Sequence, residues 1–387
     1  MGGKGSKDAD QRGGNSDAVR AARQAANRAE REARRAANQA RRAERKGADA
    51  AAEPARPAAA SRPFNILIVA QAGRIGREAL LFAASLRHSS PGWRGRLIVA
   101  EPLAEAAWVG VKVALEPTLR EALTELGAEV VPFAAQHFGR NYPHGNKIEA
   151  LSLLPVGEPF IFFDSDTLVT GPLEGLAIDF DRPSASMRRS ASWPEPPLYG
   201  PGYGGIWKSL YDRFGLDFDS SLDLTQPDEH WERYLYFNAG WFLGPDPAEF
   251  ARLFLEWALA VRDDPGDALA CQSLDPWLDQ IVLPLVIHAL GGGRPAPELS
   301  GLDGAVTCHY RTLSLLYARE PAAAGLLVQE LLRDPDLAQH FADDPAVCKL
   351  VFEAEGARMV RELIPDPAAM TEQMMRKRLK QAGLWFR

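Results

Sequence analysis

Cysteine is scarce: Cys271, Cys308 and Cys348 are the three in 387 residues. So few and so scattered, they exclude a disulfide framework and a cysteine-built zinc cluster, and they suit the reducing cytoplasm. Long apolar runs are missing too. None approaches the roughly 18 residues that a membrane-spanning helix needs, and the N-terminus lacks the apolar core of a secretory signal. Nor does the body of the chain carry excess positive charge. The formal net charge of −7 hides an uneven split, because residues 1–62 hold 15 Lys+Arg against 8 Asp+Glu and residues 63–387 hold 29 against 43. A polyanion needs a basic surface to bind, so no nucleic-acid partner is expected for the folded part.

Residues 1–62 also lack aromatics and are dominated by Ala and Arg. Asp17 to Lys46 has high helix propensity but little except Ala to bury, so it cannot build a core. The expectation is a disordered or frayed helical tail, joined to the folded body by the linker AAEPARPAAASRP. An electrostatic tether to anionic lipid or nucleic acid is the alternative.

Order begins at Phe64. FNILIVA (64–70) is a continuous β-branched apolar run, as in a strand buried on both faces. A helical stretch, REALLFAASLRH, comes next. RLIVAE then ends at Glu101, a helix covers Leu119–Leu126, and AEVVPF spans 128–133. A helix from Asn146 to Leu154 precedes PFIFFD (159–164). This alternation predicts an α/β fold with parallel strands, whose C-terminal ends share one edge. Residues 182–235 read as an insert of loops rich in Gly, Pro and aromatics. Periodicity returns at YLYFNAGWFLG (234–244), then in helices over Pro247–Arg262 and Trp277–Leu290 and a short strand near Ala305–His309. Residues 319–387 read as a helical extension.

The most informative segment is PFIFFDSDTLVTGPL. A buried strand delivers Asp164 and Asp166, which share a side because i and i+2 of an extended chain do. Two adjacent carboxylates repel unless something positive sits between them. A magnesium or manganese ion held by oxygen ligands would serve, since such ions accept one or two carboxylates together with substrate phosphates. The plainer reading is a turn with two solvated aspartates.

GNKIEALSLLPVGEPFIFFDSDTLVTGPL resembles the D-x-D region of glycosyltransferases with the GT-A fold, and is most similar to the glycogenin-like enzymes of glycosyltransferase family 8. ALLFAASLR, YFNAGWFLGPDP, LDQIVLPLV and CHY resemble further family segments in the same order, across residues 64–310. The resemblance implies a Rossmann-like mixed sheet flanked by helices over residues 63–318. It also implies transfer of a sugar, with retention, from a nucleotide-sugar donor such as a UDP-sugar. The acceptor is left open as a saccharide, a lipid-linked molecule or a protein.

By the same resemblance, Asp164, Asp166 and His309 hold Mn2+ or Mg2+. Ala70, Gln71, Lys147 and Ser165 face the nucleotide, while Asn238, Asp279 and Gln280 act around the donor sugar. Plainer readings stand beside these. His309 could be a core histidine, Lys147 a surface charge, and Asn238 a partner for local backbone. Asp279–Gln280 could be a helix N-terminal pair, with Asp275 as the N-cap. The family's Gly-x-x-Lys-Pro-Trp is absent after His309, where Arg311 is the candidate substitute for the diphosphate-binding lysine. Its aspartate and tyrosine after the first strand are absent from AQAGRIG.

Trp193, Tyr199, Tyr203, Trp207 and Trp231 of the insert suit either sugar stacking in the acceptor site or anchoring of a long loop. Two rival functions remain. One is a catalytically inactive GT-A-like binding module. The other is an NAD(P)-dependent oxidoreductase with Glu101 as the ribose acid, although its dinucleotide fingerprint wants glycine where Gln71 stands. The basic C-terminal helix, with Leu384, Trp385 and Phe386, could lie on the inner face of a membrane.

Overall fold

The computed structural model describes residues 62–188, 193–353 and 355–386. Apart from Arg62, the Ala/Arg-rich tail and the tether ascribed to it lie outside the described residues.

Strand β1 (Asn65–Val69) leads to α1 (Arg74–Ser89), β2 (Leu97–Pro102), α2 (Pro117–Glu125) and β3 (Ala128–Phe133). A short α3 (Asn146–Glu149), extended by a 3-10 turn over Ala150–Leu153, precedes β4 (Phe160–Phe163) and β5 (Thr167–Val169). Then come β6 (Ser184–Ala185), α4 (Tyr203–Arg213), β7 (Trp241–Gly244), α5 (Pro247–Asp263), α6 (Leu278–Ala289) and β8 (Thr307–His309). The C-terminal stretch includes α7 (Leu313–Arg319), α8 (Ala322–Leu331), α9 (Glu355–Leu363) and α10 (Glu372–Gln381).

The main sheet has the order β3-β2-β1-β4-β7-β6. The first four strands are parallel, whereas β7 and β6 join antiparallel. The sheet is therefore mixed, and the alternation of strand and helix accounts only for its parallel half. β5 and β8 form a separate antiparallel ladder with Thr167 opposite His309.

Period two divides the core. Ile66, Ile68, Ile161 and Phe163 point into a cluster shared with α1 and the C-terminal helices. Leu67, Phe160 and Phe162 point into a second cluster shared with α4, α5 and α6. Strands covered on both faces need apolar residues at every position, which is why FNILIVA and FIFF read as unbroken runs.

Two expectations need correction. The insert contains α4, which buries Ile206, Trp207, Leu210 and Tyr211. Gly204 and Gly205 lower its intrinsic propensity, and packing of that apolar face overrides them. Asp275 does not cap α6, which begins after Trp277 without a side-chain cap; the Asp275 carbonyl instead accepts from Ser273. The apolar end of the C-terminal helix turns inward, with Leu384 buried and Trp385 and Phe386 packed on the first cluster. Among the described residues, no helix is long and apolar enough to cross a membrane. The insert's aromatics divide as well. Trp193 and Trp207 are buried edge to face at 5.3 Å, Tyr203 stacks on Tyr234, and Tyr199 is fully exposed.

Two serines of the first helical segment pin the strand that leaves the D-x-D turn. The buried Ser85 hydroxyl donates to Phe82 O at 2.8 Å and accepts from Val169 N at 2.9 Å. Ser90 accepts from Leu173 N at 2.6 Å. Replacing Ser85 by Ala strands the Val169 N–H, at an expected cost of about 1–3 kcal/mol. Urea unfolding should show a lower midpoint at unchanged slope; an unchanged midpoint would remove Ser85 from this role.

Candidate functional site

The site lies where β4 ends against β7. Asp164 N–H donates to Gly240 O at 2.8 Å, and the Ser165 hydroxyl donates to Val69 O at the tip of β1. Asp166 O accepts from Tyr310 N at 3.0 Å, which continues the β5–β8 ladder and carries His309 across. His309 Nε2 is 3.1 Å from Asp166 Oδ1 and 3.8 Å from Asp164 Oδ2. One ligand atom from each of Asp164, Asp166 and His309 lies within 4.8 Å of the others. This approach depends on Gly240, where an added Cβ would stand 2.2 Å from His309 Nδ1. Two carboxylates and one imidazole form a donor set that could hold a divalent cation. The geometry leaves room for a divalent cation, and neither aspartate faces solvent alone, since Asp164 meets Lys147 and Asp166 meets His309.

Lys147 is buried, not a surface charge. Its ammonium donates to all three partners it can serve: Asp164 Oδ1 at 2.7 Å, Asp279 Oδ2 at 3.2 Å and Ala239 O at 3.1 Å. It also sits 5.3 Å from the centre of the Phe162 ring. Burial alone would lower its pKa; the Asp164 and Asp279 carboxylates reverse that and hold it above the ordinary lysine value. Asp279 is 1% exposed, and its Oδ1 accepts from the Tyr142 hydroxyl at 2.6 Å. Its backbone N–H donates back to that hydroxyl at 2.9 Å.

A cavity of about 170 Å³ opens beside the aspartates, lined by Gln71, Arg74, Lys147, Asp164, Ser165 and Asp166 among others. Gln71 is buried, and its Nε2 has no hydrogen-bond partner. Ala70 is fully buried and forms no part of that lining. Asn238 lies on the other side of His309, in a separate small cavity. Its side chain is occupied, since Nδ2 donates to Arg188 O at 2.6 Å and Oδ1 accepts from Gly240 N at 2.9 Å. Gln280 accepts from the Tyr236 hydroxyl at 2.8 Å. Glu101 is buried and held by Arg120 and Leu115 N, so it is not presented to a ribose.

Sequence reasoning missed Arg74, Glu78 and Tyr142. Arg74 and Glu78 form an i,i+4 pair at 2.5 Å that reads in sequence as an ordinary helix-surface contact. Burial, then the neighbouring Asp166, pushes the Glu78 carboxyl well above the usual range. Tyr142 carries no motif signal at all. Burial would also raise Asp166, but His309 and then Arg74 and Arg311 override it and bring its pKa down from 3.8 to about 2.

A family model described as the Rhodobacterales glycosyltransferase domain matches residues 66–291. No curated protein matches the chain. Among solved structures, the galactosyltransferase LgtC in complex with donor and acceptor sugar analogues is 15% identical. That match covers 73% of this chain and 98% of its own, at a TM-score of 0.40. An active-site mutant of LgtC is also 15% identical, covering 62% and 77% at a TM-score of 0.37. The glycosyltransferase GlyE of Streptococcus pneumoniae TIGR4 is 13% identical, covering 70% and 52% at 0.34. Structural likenesses at these scores are weak.

Lys147→Met would leave Asp164 and Asp279 facing each other without a counter-charge, an expected loss of about 3–5 kcal/mol for a broken buried pair. Asp279→Asn in the same chain should recover part of it in thermal melts. For Asp166, the depressed pKa means its contribution, about 2 kcal/mol, is present above pH 3.8 and lost as pH falls towards about 2. Urea titrations of Asp166→Asn over that window should lose less stability on acidification than wild type. Parallel curves would contradict the assignment.

Proposed function

The chain belongs to the Rhodobacterales glycosyltransferase domain family, and from that membership we propose a metal-dependent sugar transfer, from a UDP-sugar to an acceptor hydroxyl, with retention at the anomeric carbon. The observation that carries this reading is the convergence of Asp164, Asp166 and His309 at the end of β4. Those three residues would hold Mn2+ or Mg2+, which supplies positive charge to the departing diphosphate. Lys147 aims Asp164, because its three donors are fixed by Asp164, Asp279 and Ala239. Gln71 offers its unpartnered amide to the nucleoside, and Ser165 fixes the turn between the two aspartates by its bond to Val69.

Asp279 and Gln280 act near the anomeric carbon. Asp279 is held by Tyr142 and Lys147 and Gln280 by Tyr236, so neither side chain must reorganise as charge develops. Asn238, with both ends of its amide engaged, sets the backbone that faces the donor sugar. The three unpaired cysteines support a reducing, cytoplasmic setting.

Calorimetric titration of UDP with and without manganese tests this reading. Wild type is expected to bind UDP only with the metal, and the Asp164→Asn, Asp166→Asn double variant to lose that dependence. Manganese-dependent binding that survives in the double variant would falsify the metal assignment. A nucleotide-sugar screen for manganese-dependent hydrolysis then identifies the donor.

A further inference from the structure

Between α1 and the C-terminal stretch lies a cavity of about 340 Å³, twice the volume of the one beside the aspartates. Its walls are largely apolar: Leu81 from α1, Leu313 at the start of α7, Phe341 and Val347 from the chain before α9, and Trp385 and Phe386 beyond α10. Arg74 and Glu78 line both cavities, so that pair forms a shared wall. Well-packed interiors hold few voids larger than a water molecule, and a space of this size needs a cause.

Loose packing of the C-terminal helices would leave such a space, but its walls are held in place. The buried Ser314 hydroxyl donates to Leu384 O at 2.7 Å and accepts from Phe386 N at 3.3 Å. The Arg376 guanidinium stands 5.3 Å from the centre of the Trp385 ring. Charges on the wall are matched where they stand. Arg74 pairs with Glu78 at 2.5 Å, and Arg77 pairs with Asp344 at 3.0 Å and with Asp343 at 3.2 Å. The Thr312 hydroxyl is engaged too, accepting from Leu315 N. A wall whose charges cancel calls for neither an anion nor a cation. Tyr310 differs. It lines the cavity and is fully buried, yet its hydroxyl has no hydrogen-bond partner among the described residues. An unpartnered buried hydroxyl is costly, and a ligand with one polar group would satisfy it.

Apolar pockets of this size with a few convergent polar groups are the usual form of a small-molecule site. We propose that the cavity binds a neutral, ring-shaped organic molecule of about a dozen non-hydrogen atoms, with one hydroxyl or carbonyl group that pairs with Tyr310. The size follows from the volume: a dry apolar cavity of about 150 Å³ accepts benzene, so this one has room for two rings. The aromatic walls at Phe341, Trp385 and Phe386 suit a flat body. This site is separate from the nucleotide cavity and goes beyond the sugar-transfer reading. Its occupant would nevertheless lie against the Arg74–Glu78 wall, next to the donor. The C-terminal stretch supplies most of the lining, although it lies outside the matched residues 66–291.

The test uses the full chain and two probes: 2-naphthol, which is neutral and carries one hydroxyl, and 2-naphthoate, its anionic counterpart. Ligand-detected NMR titration of wild type should show 2-naphthol at one site with a Kd of about 1 mM or tighter, ordinary for a molecule this small. Binding of 2-naphthoate should be weaker by about tenfold or more, since its charge finds no unmatched partner. UDP with manganese should leave 2-naphthol bound. Ala346→Trp places an indole in the cavity. It should weaken 2-naphthol by about tenfold or more, with an undiminished melting temperature and manganese-dependent UDP binding kept. Tyr310→Phe should weaken 2-naphthol by about two- to tenfold, the worth of one hydrogen bond. The same variant without ligand should melt no lower than wild type, because an unpartnered buried hydroxyl is gone. Absence of 2-naphthol binding, its displacement by UDP, equal binding of 2-naphthoate, or indifference to Ala346→Trp would each overturn the site. Should Ala346→Trp destabilise the protein, Tyr310→Phe decides: unchanged 2-naphthol affinity, or a lower melting temperature without ligand, would sink the proposal. Failure of wild type to bind UDP bears on the functional reading alone, since 2-naphthol reports on the cavity by itself.

Discussion

One ammonium group holds the sheet edge together. Lys147 reaches from α3 to Asp164 at the end of β4, to Asp279 at the start of α6 and to Ala239 just before β7. Without it, two carboxylates from separate elements would face each other in a largely dry space, where repulsion is poorly screened. With it, the parallel half of the sheet and its antiparallel addition share a fixed point. The turn that presents Asp166 and the glycine that admits His309 both hang from that point.

The site is charged in layers arranged about this lysine. Asp164 is paired with Lys147 from behind, while Asp166 is kept ionised by His309, Arg74 and Arg311. Glu78 meets the opposite field, since burial and Asp166 both favour its neutral form. Beyond His309, arginines backed by Glu320 and Glu372 bring positive charge up to the same cluster. An acidic body can therefore serve phosphate chemistry. Net charge governs long-range attraction, and the local arrangement of a handful of side chains governs what binds.

The elements most legible in the sequence were those with unbroken physical signals. β1 and β4 announced themselves as doubly covered strands because both faces needed apolar residues, and α5 and α6 by their apolar periodicity. Asp164 and Asp166 were legible because spacing two in an extended chain fixes a shared side. Less was visible where the signal depended on a distant partner. α4 was hidden by its glycines, the antiparallel entry of β7 by the absence of any local mark of direction, and Tyr142 by having no motif to belong to. Lys147 could be singled out by resemblance, but its burial and its two carboxylates could not.

What the sequence determined by itself was therefore local and periodic: which runs become strands or helices, which strand carries two carboxylates to its end, and which part of the chain is acidic. The tertiary structure alone decided the pairings, namely His309 with Asp166, Lys147 with Asp279, and Glu372 with Arg311 and Arg319. The reason is physical. A side chain's period follows from its own backbone geometry, whereas its charge state and partners follow from groups far along the chain, brought near only when the core closes.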